Sequence, residues 1–330
     1  MSEQTEQMQA VVCSAYGGPE VLSLRQVDKP VPAPHQVRIK VFATTVTAAC
    51  TMMRKADTWV ARLLLGLRKP RKRYRVMGIE LAGEVDAVGS RVTSFRPGER
   101  VFGFAGFTPG AYAQYCCLPE RGSLAVMPER LSYEQAVSIV DGPTTALYFL
   151  RDRARVRAGE RVLVIGASGS IGTAAVQLAR HFGAEVTGVC STSNVGLVSS
   201  LGAHHVIDYT QEDFTEQSSV YDVVFDTVGK SSFARCRRVL SRGGRYLTTV
   251  GGPGLYARDA WSRLFGDKKF IFGMSVEKRS SLREVARLSE LGELRPVIDR
   301  RYDLDEIVEA HRYVDQGRKK GNVVISVAHR

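Results

Sequence analysis

The residues with the clearest chemical spacing are three glycines set three apart, Gly166, Gly169 and Gly172, in Arg161-Val-Leu-Val-Ile-Gly-Ala-Ser-Gly-Ser-Ile-Gly172. An apolar strand precedes them and an amphipathic helix follows. Glycines permit the tight turn and let backbone N–H groups approach a pyrophosphate, while the helix start offers free donors and a positive dipole end. Ser168 and Ser170 add hydroxyls, and Ile171 lies between the last two turn positions. A lone glycine pattern is weak evidence, but this one has the strand–turn–helix context, with further strand–helix units behind it. It predicts a dinucleotide site.

The second clue lies at the next strand end. An NAD site places an acid there to hold the ribose 2′-hydroxyl. Here Glu185 to Val189 runs into Cys190-Ser-Thr-Ser-Asn194, with no acid. That absence permits a 2′-phosphate, to which Ser191 and Ser193 could donate. No Arg or Lys follows nearby. The expected cofactor is NADP(H) in preference to NAD(H).

Elements that could position such a site are legible along the chain. Up to residue 127, short β-rich runs (Gln36–Phe42, Leu81–Val88, Tyr112–Leu118) alternate with Gly and Pro turns, which predicts an irregular β-barrel or sandwich. From 128 to 273, strands and helices alternate, predicting an α/β unit with a doubly wound parallel sheet. Its helices are expected at Thr173–Phe182, Asn194–Leu201 and Ser231–Leu240, and its last strand at Phe270–Phe272. Residues 274–330 are too few to fold alone and are expected to return to the first domain. The apolar and charged shares, 44% and 24% of 330 residues, are those of a globular protein. With no apolar run of membrane length and no signal-like start, a cytoplasmic location is expected. The six cysteines are scattered and read as reduced, mostly buried thiols.

Taken in order, Ala15-Tyr-Gly-Gly-Pro-Glu20, Gly78-Ile-Glu-Leu-Ala-Gly-Glu-Val85, Val88-Gly-Ser90, Pro97-Gly-Glu-Arg-Val101, the glycine turn, Leu201-Gly-Ala203, Val206-Ile-Asp-Tyr209, Asp222-Val-Val-Phe-Asp-Thr-Val-Gly229 and Gly243-Gly-Arg245 form a specific set. Through them the chain resembles the zinc-independent, zeta-crystallin-like quinone-oxidoreductase branch of the medium-chain dehydrogenases/reductases, from Met8 to Val327. The resemblance implies a GroES-like β-rich catalytic domain (1–127, completed by 274–330) around a Rossmann domain (128–273), with the active site in the cleft between them. It assigns the pyrophosphate to Ser168, Gly169, Ser170 and Ile171, and the 2′-phosphate side to Ser191, Ser193 and Tyr209. The nicotinamide side falls to Thr144, Val228, Val250, Gly251, Met274, Ser275 and Val276, with Asn322 nearby. It also implies a homodimer through the edge strand near Phe270.

Zinc-dependent relatives carry Cys at the position of Thr47 and Gly-His-Glu at Gly78-Ile79-Glu80, so two ligand types are missing here. The four-Cys structural zinc loop is missing too. No zinc is expected, and Glu80 reads as a structural carboxylate. Without a Lewis acid a simple alcohol is poorly activated, so the expected reaction is reduction of a quinone or an α,β-unsaturated carbonyl. Thr47, Cys50 and Met52 depart from the Asn, acid and Tyr common among relatives, leaving the proton donor unknown. They remain pocket candidates, as does Tyr74. The same-superfamily alternative is an alcohol or carbonyl dehydrogenase.

One segment fits none of this. From Arg54 to Arg75 there are nine basic residues and one acid, within a chain of net charge +12. Trp59, Leu63, Leu64 and Leu67 could form one helical face, ended by Pro70. The segment reads as a solvated loop, as a lid over an apolar substrate, or as a weak contact with a membrane surface or nucleic acid. The last favours a rival, non-enzymatic reading, an RNA-binding or scaffold protein keeping a nucleotide fold. No RNA motif is present, so no nucleic acid is expected.

Overall fold

The computed structural model describes residues 6–106, 108–216, 220–252, 254–276 and 278–329. The chain divides into two compact units, one of Met1–Asp141, Glu277–Glu290 and Pro296–Arg330, the other of Gly142–Val276 and Leu291–Arg295. The division at Asp141 falls later than residue 127 because the helix Tyr133–Val137 packs on strands of the first unit.

The first unit starts with β1 (Gln7–Cys13) and β2 (Leu22–Asp28), an antiparallel pair. Then come β3 (Gln36–Val46), β4 (Glu80–Val88), β5 (Arg100–Phe104), β6 (Tyr115–Pro119) and β7 (Ser123–Val126). In β3 the buried residues are Val37, Ile39, Val41 and Ala43 before the fully buried end, the period-two burial of a strand with one face on a core. The second unit carries β8 (Arg161–Ile165), β9 (Glu185–Cys190), β10 (His205–Asp208), β11 (Tyr221–Asp226), β12 (Leu240–Thr248) and β13 (Lys269–Phe272). The chain then returns through β14 (Ile298–Asp303) and β15 (Asn322–Ser326). These complete a seven-stranded sheet of order β14-β15-β3-β4-β5-β7, with β6 also paired to β3.

In the second unit every neighbouring strand pair is parallel and the order is β10-β9-β8-β11-β12-β13. This is the doubly wound Rossmann order, whose reversal point lies between β8 and β11. Its core joins Leu163, Ile165, Val189, Val224, Leu240 and Phe270.

Three local expectations change. The helix expected over Ser231–Leu240 is only Phe233–Cys236, because Leu240 already pairs with Tyr221. The register then jumps to Val223↔Arg245, and Gly243, at φ +75°, lies in the skipped stretch. A helix at Gly254–Phe265 was not foreseen. In the basic segment the helix Trp59–Leu65 stops before Pro70, because Gly66 takes φ +134°, where any Cβ would lie 2.2 Å from Lys69 O. All six cysteines are free, and only Cys117 is not fully buried. No helix among the described residues is long and apolar enough to cross a membrane.

Candidate cofactor and substrate residues

Parallel strands bring their carboxyl ends to one edge of the sheet, and the loops there carry nearly all the predicted cofactor residues. After β8, Gly166 adopts φ +77°, and a Cβ on it would meet Val228 Cγ1 at 2.7 Å. A Cβ on Gly172 would stand 2.1 Å from Gly166 O, so the helix Ser170–His181 can begin this close to the strand only with glycine there. Gly169 caps that helix without a side-chain hydrogen bond. The first-turn amides, Ile171 and Gly172 among them, therefore have no intrahelical acceptor and point their donors outward, at the positive dipole end. Behind the turn, Gly142 faces Ser170 Oγ at 2.3 Å from its virtual Cβ, and Thr144 two residues on is fully buried.

After β9, the side-chain amide of Asn194 donates to Ser168 Oγ and Ser191 Oγ, each at 3.1 Å, and Ser191 and Ser193 hydroxyls lie 3.5 Å apart. One amide thus ties the glycine turn to the second loop. Tyr209, after β10, is exposed. The register also supplies an acid that the β9 end lacks. Asp208 pairs with Cys190, and its carboxylate accepts from Thr192 Oγ1 (2.5 Å) and from Thr210 N (3.0 Å) and Oγ1 (2.8 Å). The Thr192 hydroxyl above all holds that carboxyl below its usual range.

On the other side of the reversal point, buried Asp226 shapes the loop after β11. It accepts from Val228 N (3.2 Å), Gly229 N (2.8 Å), Ser231 N (2.9 Å) and Tyr246 OH (3.0 Å). Val228, Val250, Met274 and Val276 stay exposed on loops after β11, β12 and β13, with Gly251 and Ser275 beside them. Three buried polar atoms of this unit, Asn194 Oδ1, Ser275 Oγ and, on β12, Arg245 Nε, have no hydrogen-bond partner among the described residues. Outward amides, hydroxyls, exposed apolar side chains and the unsatisfied Asn194 Oδ1 and Ser275 Oγ on these loops fit a dinucleotide.

Asn322 belongs to the first unit, where its amide donates to Ser138 O (2.9 Å) and Val297 O (3.2 Å). The four pocket candidates of that unit have different surroundings. Thr47 Oγ1 caps the helix Ala48–Lys55, accepting from Cys50 N (3.2 Å) and donating to Cys50 Sγ (3.3 Å). Cys50 is fully buried, and burial pushes its thiol up. Met52, two residues along the same helix, is exposed. Tyr74 instead lines a small apolar cavity with Cys13, Tyr16, Met53, Leu65 and Pro70.

Glu80 is buried and accepts from Thr45 Oγ1 and from Asp141 N (2.6 Å). Burial, then the Asp141 charge, pushes its carboxyl up to about 8. Tyr112 OH donates to Thr45 O (3.1 Å), on the residue whose hydroxyl meets Glu80, and lies 3.2 Å from His311 Nε2. The positions where zinc-dependent relatives carry Cys and His hold a capping hydroxyl, Thr47, and a buried alkyl chain, Ile79. Among the described residues no three His, Cys, Asp or Glu side chains gather as a metal-binding group. This donor set does not fit zinc.

Residues 33–129 match the alcohol dehydrogenase GroES-like domain and residues 201–325 match a model described as zinc-binding dehydrogenase. The quinone oxidoreductase of Homo sapiens is 32% identical over 327 residues, covering 94% of each chain. The 2-methylene-furan-3-one reductase of Solanum lycopersicum is 31% identical over 76% of this chain and 63% of its own length. The solved quinone oxidoreductase of Coxiella burnetii superposes with a TM-score of 0.89 at 28% identity, over 98% of this chain and all of its own. The chain is therefore a member of the medium-chain dehydrogenase/reductase family, in its quinone-oxidoreductase branch, and an NAD(P)-dependent oxidoreductase.

Proposed function

We propose that this chain reduces quinones or α,β-unsaturated carbonyls with NADPH and without zinc. The observation that carries the reading is the turn from Gly166 to Gly172, where Gly166 and Gly172 have no room for a Cβ and the helix therefore starts close to the strand with its first amides at the sheet's carboxyl edge. NADPH, when bound, supplies a hydride to an electron-poor carbon. Amides and hydroxyls from Ser168 to Gly172 hold the pyrophosphate. Because Asn194 donates to Ser168 Oγ and Ser191 Oγ, both hydroxyls keep their own hydrogens for anionic oxygens, and Ser193 and Tyr209 add two more donors. Thr144, Val228, Val250, Gly251, Met274, Ser275 and Val276 surround the nicotinamide end, where the apolar members exclude water.

The acceptor class follows from the donor set. An alcohol needs its oxygen polarised by a metal or a strong acid before hydride loss, and Thr47 and Ile79 supply neither. Quinones and enones become delocalised hydroquinone or enolate anions, which need no metal to stabilise them. The human quinone oxidoreductase and the tomato 2-methylene-furan-3-one reductase among its relatives support these two classes. The same reading includes a homodimer through β13, the outer strand of its sheet. Steady-state assays with NADPH and NADH against quinones, enones and alcohols, with and without chelator, test the proposal. Quinone or enone turnover insensitive to chelator is expected. Zinc-dependent alcohol oxidation with no quinone or enone turnover refutes it.

A further inference from the structure

We propose that the helix Trp59–Leu65 and the basic loop after it form a docking surface for an anionic phospholipid bilayer. The helix is held from one side only. Leu65 lines the small apolar cavity with Tyr16, Met53 and Pro70, and Tyr16 OH donates to Gly66 O at 2.7 Å. Of its remaining residues, Trp59, Val60, Leu63 and Leu64 are apolar and face solvent beside the exposed Arg62, and Leu67 just beyond the helix is exposed as well. Trp59 is 76% exposed, Leu63 53%, Leu64 62% and Leu67 68%. Trp59 and Leu63 are one turn apart, as are Val60 and Leu64. A helix lying on a protein in water would carry its polar residues outward, and a contiguous apolar face of this kind marks a contact surface.

The chemistry of the rim names the occupant. Arg62, Arg68, Lys69, Arg71, Lys72 and Arg73 are all exposed, and among the described residues none forms an ion pair with a carboxylate. Leucines and a tryptophan bordered by unpaired cations are the composition of a segment that seats its apolar side at the acyl boundary and its charges among headgroups. Each cation near an anionic leaflet adds affinity that salt screens. A second copy of this chain fits poorly, since a two-fold contact would set this cationic rim against itself. A nucleic acid would engage the cations but leave Leu63, Leu64 and Leu67 in water, with Trp59 as the segment's one strongly exposed aromatic ring.

The test uses the full chain carrying Trp261→Phe, which leaves Trp59 as the single tryptophan. Vesicles of phosphatidylcholine alone are compared with equal parts of phosphatidylcholine and phosphatidylserine. Expected are co-sedimentation with the anionic vesicles only, a blue shift of Trp59 emission on binding, and release by salt. Leu63→Ser/Leu64→Ser/Leu67→Ser should lower the partition coefficient by at least about tenfold, and so should Lys69→Glu/Lys72→Glu/Arg73→Glu. Unchanged circular dichroism and thermal melting show that each variant is folded. No binding to anionic vesicles at low salt overturns the proposal. So does binding with unshifted Trp59 emission that the serine variant leaves intact, or salt-sensitive RNA binding without vesicle binding.

Discussion

Replacing Glu80 with glutamine should stabilise the first unit at neutral and alkaline pH while changing little in mild acid. Glu80 is 1% exposed, and both its oxygens are occupied, by Thr45 Oγ1 and by Asp141 N. Those hydrogen bonds favour the ionised carboxylate, as does Lys278, whose Nζ lies 2.9 Å from Asp141 Oδ1. Burial and the Asp141 charge outweigh them and push the carboxyl from an ordinary 4.5 to about 8. The native state therefore holds this proton more tightly than the unfolded chain does. Between pH 4.5 and about 8 the native state binds more protons, so stability falls as pH rises. The contribution is fully present below the unfolded value and is lost by the time pH passes the folded one.

The slope is about 1.4 kcal/mol per pH unit, so by pH 7 the folded state has lost ~3 kcal/mol relative to mild acid, because the unfolded carboxyl ionises freely while the buried one keeps its proton. Glutamine has the same shape and no charge. Its carbonyl can accept from Asp141 N, and its NH2 can donate to Thr45 Oγ1, which also accepts. Urea unfolding of wild type and Glu80→Gln from pH 5 to 9 measures the effect, and the difference between the two cancels every other titrating group. The variant's advantage should be smallest at pH 5 and grow through pH 8. A difference that stays flat, or that turns in favour of the wild type as pH rises, refutes the reasoning.

Three other changes probe separate parts of the molecule. Gly172→Ala places a methyl group 2.1 Å from Gly166 O and must push the helix start off the strand, so NADPH affinity by calorimetry should fall at least about tenfold; an unchanged Kd would count against the turn as the phosphate site. Asp208→Asn removes an ionised group beside the Ser191–Ser193 loop and should shift the NADPH-to-NADH affinity ratio a few-fold toward NADPH. An unmoved ratio would show that no 2′-phosphate approaches that loop. His311 is buried, and burial, then the Arg54 charge, draws its imidazole down to about 3. The unfolded chain binds that proton first, so stability is lost as pH falls from 6.5 toward 3. His311→Gln should flatten the fall in melting temperature between pH 6.5 and 4, and an equally steep acid limb would show that His311 stays protonated when buried.

The parts of the fold that rest on local pattern were legible. Alternating apolar strands and helices behind Gly166, Gly169 and Gly172 give the parallel sheet, and a parallel sheet puts the loops after β8, β9, β11, β12 and β13 on one edge without further information. What depends on register or distant partners was not. Asp208 reaches Thr192 only because β10 lies beside β9, so the missing acid at the β9 end was read correctly and still left a carboxylate there. Asn194 reads as a helix start, yet its amide spans Ser168 and Ser191. Arg54 meets Asp315, and Tyr112 meets His311, across most of the chain length. The short Phe233–Cys236 helix was overestimated because a strand pairing at Leu240 overrode local propensity.

The titratable groups argue together about where the chemistry comes from. Covalent catalysis needs a thiol or hydroxyl whose proton is easily lost, through a nearby cation, a base or a helix start. Here all six thiols are pushed up, with burial the largest cause for each. Tyr112 is held well above its ordinary value by burial and by Cys50, and Glu80 keeps its proton into the neutral range. His311, the buried imidazole beside Tyr112, is too weak a base near pH 7 to take a proton from that phenol. The first unit therefore offers shape, packing and neutral polar contacts, with no activated nucleophile among these groups. On the proposed reading, reactivity arrives with a bound dinucleotide, and the turn of the second unit is where Gly166 and Gly172 leave no room for a Cβ.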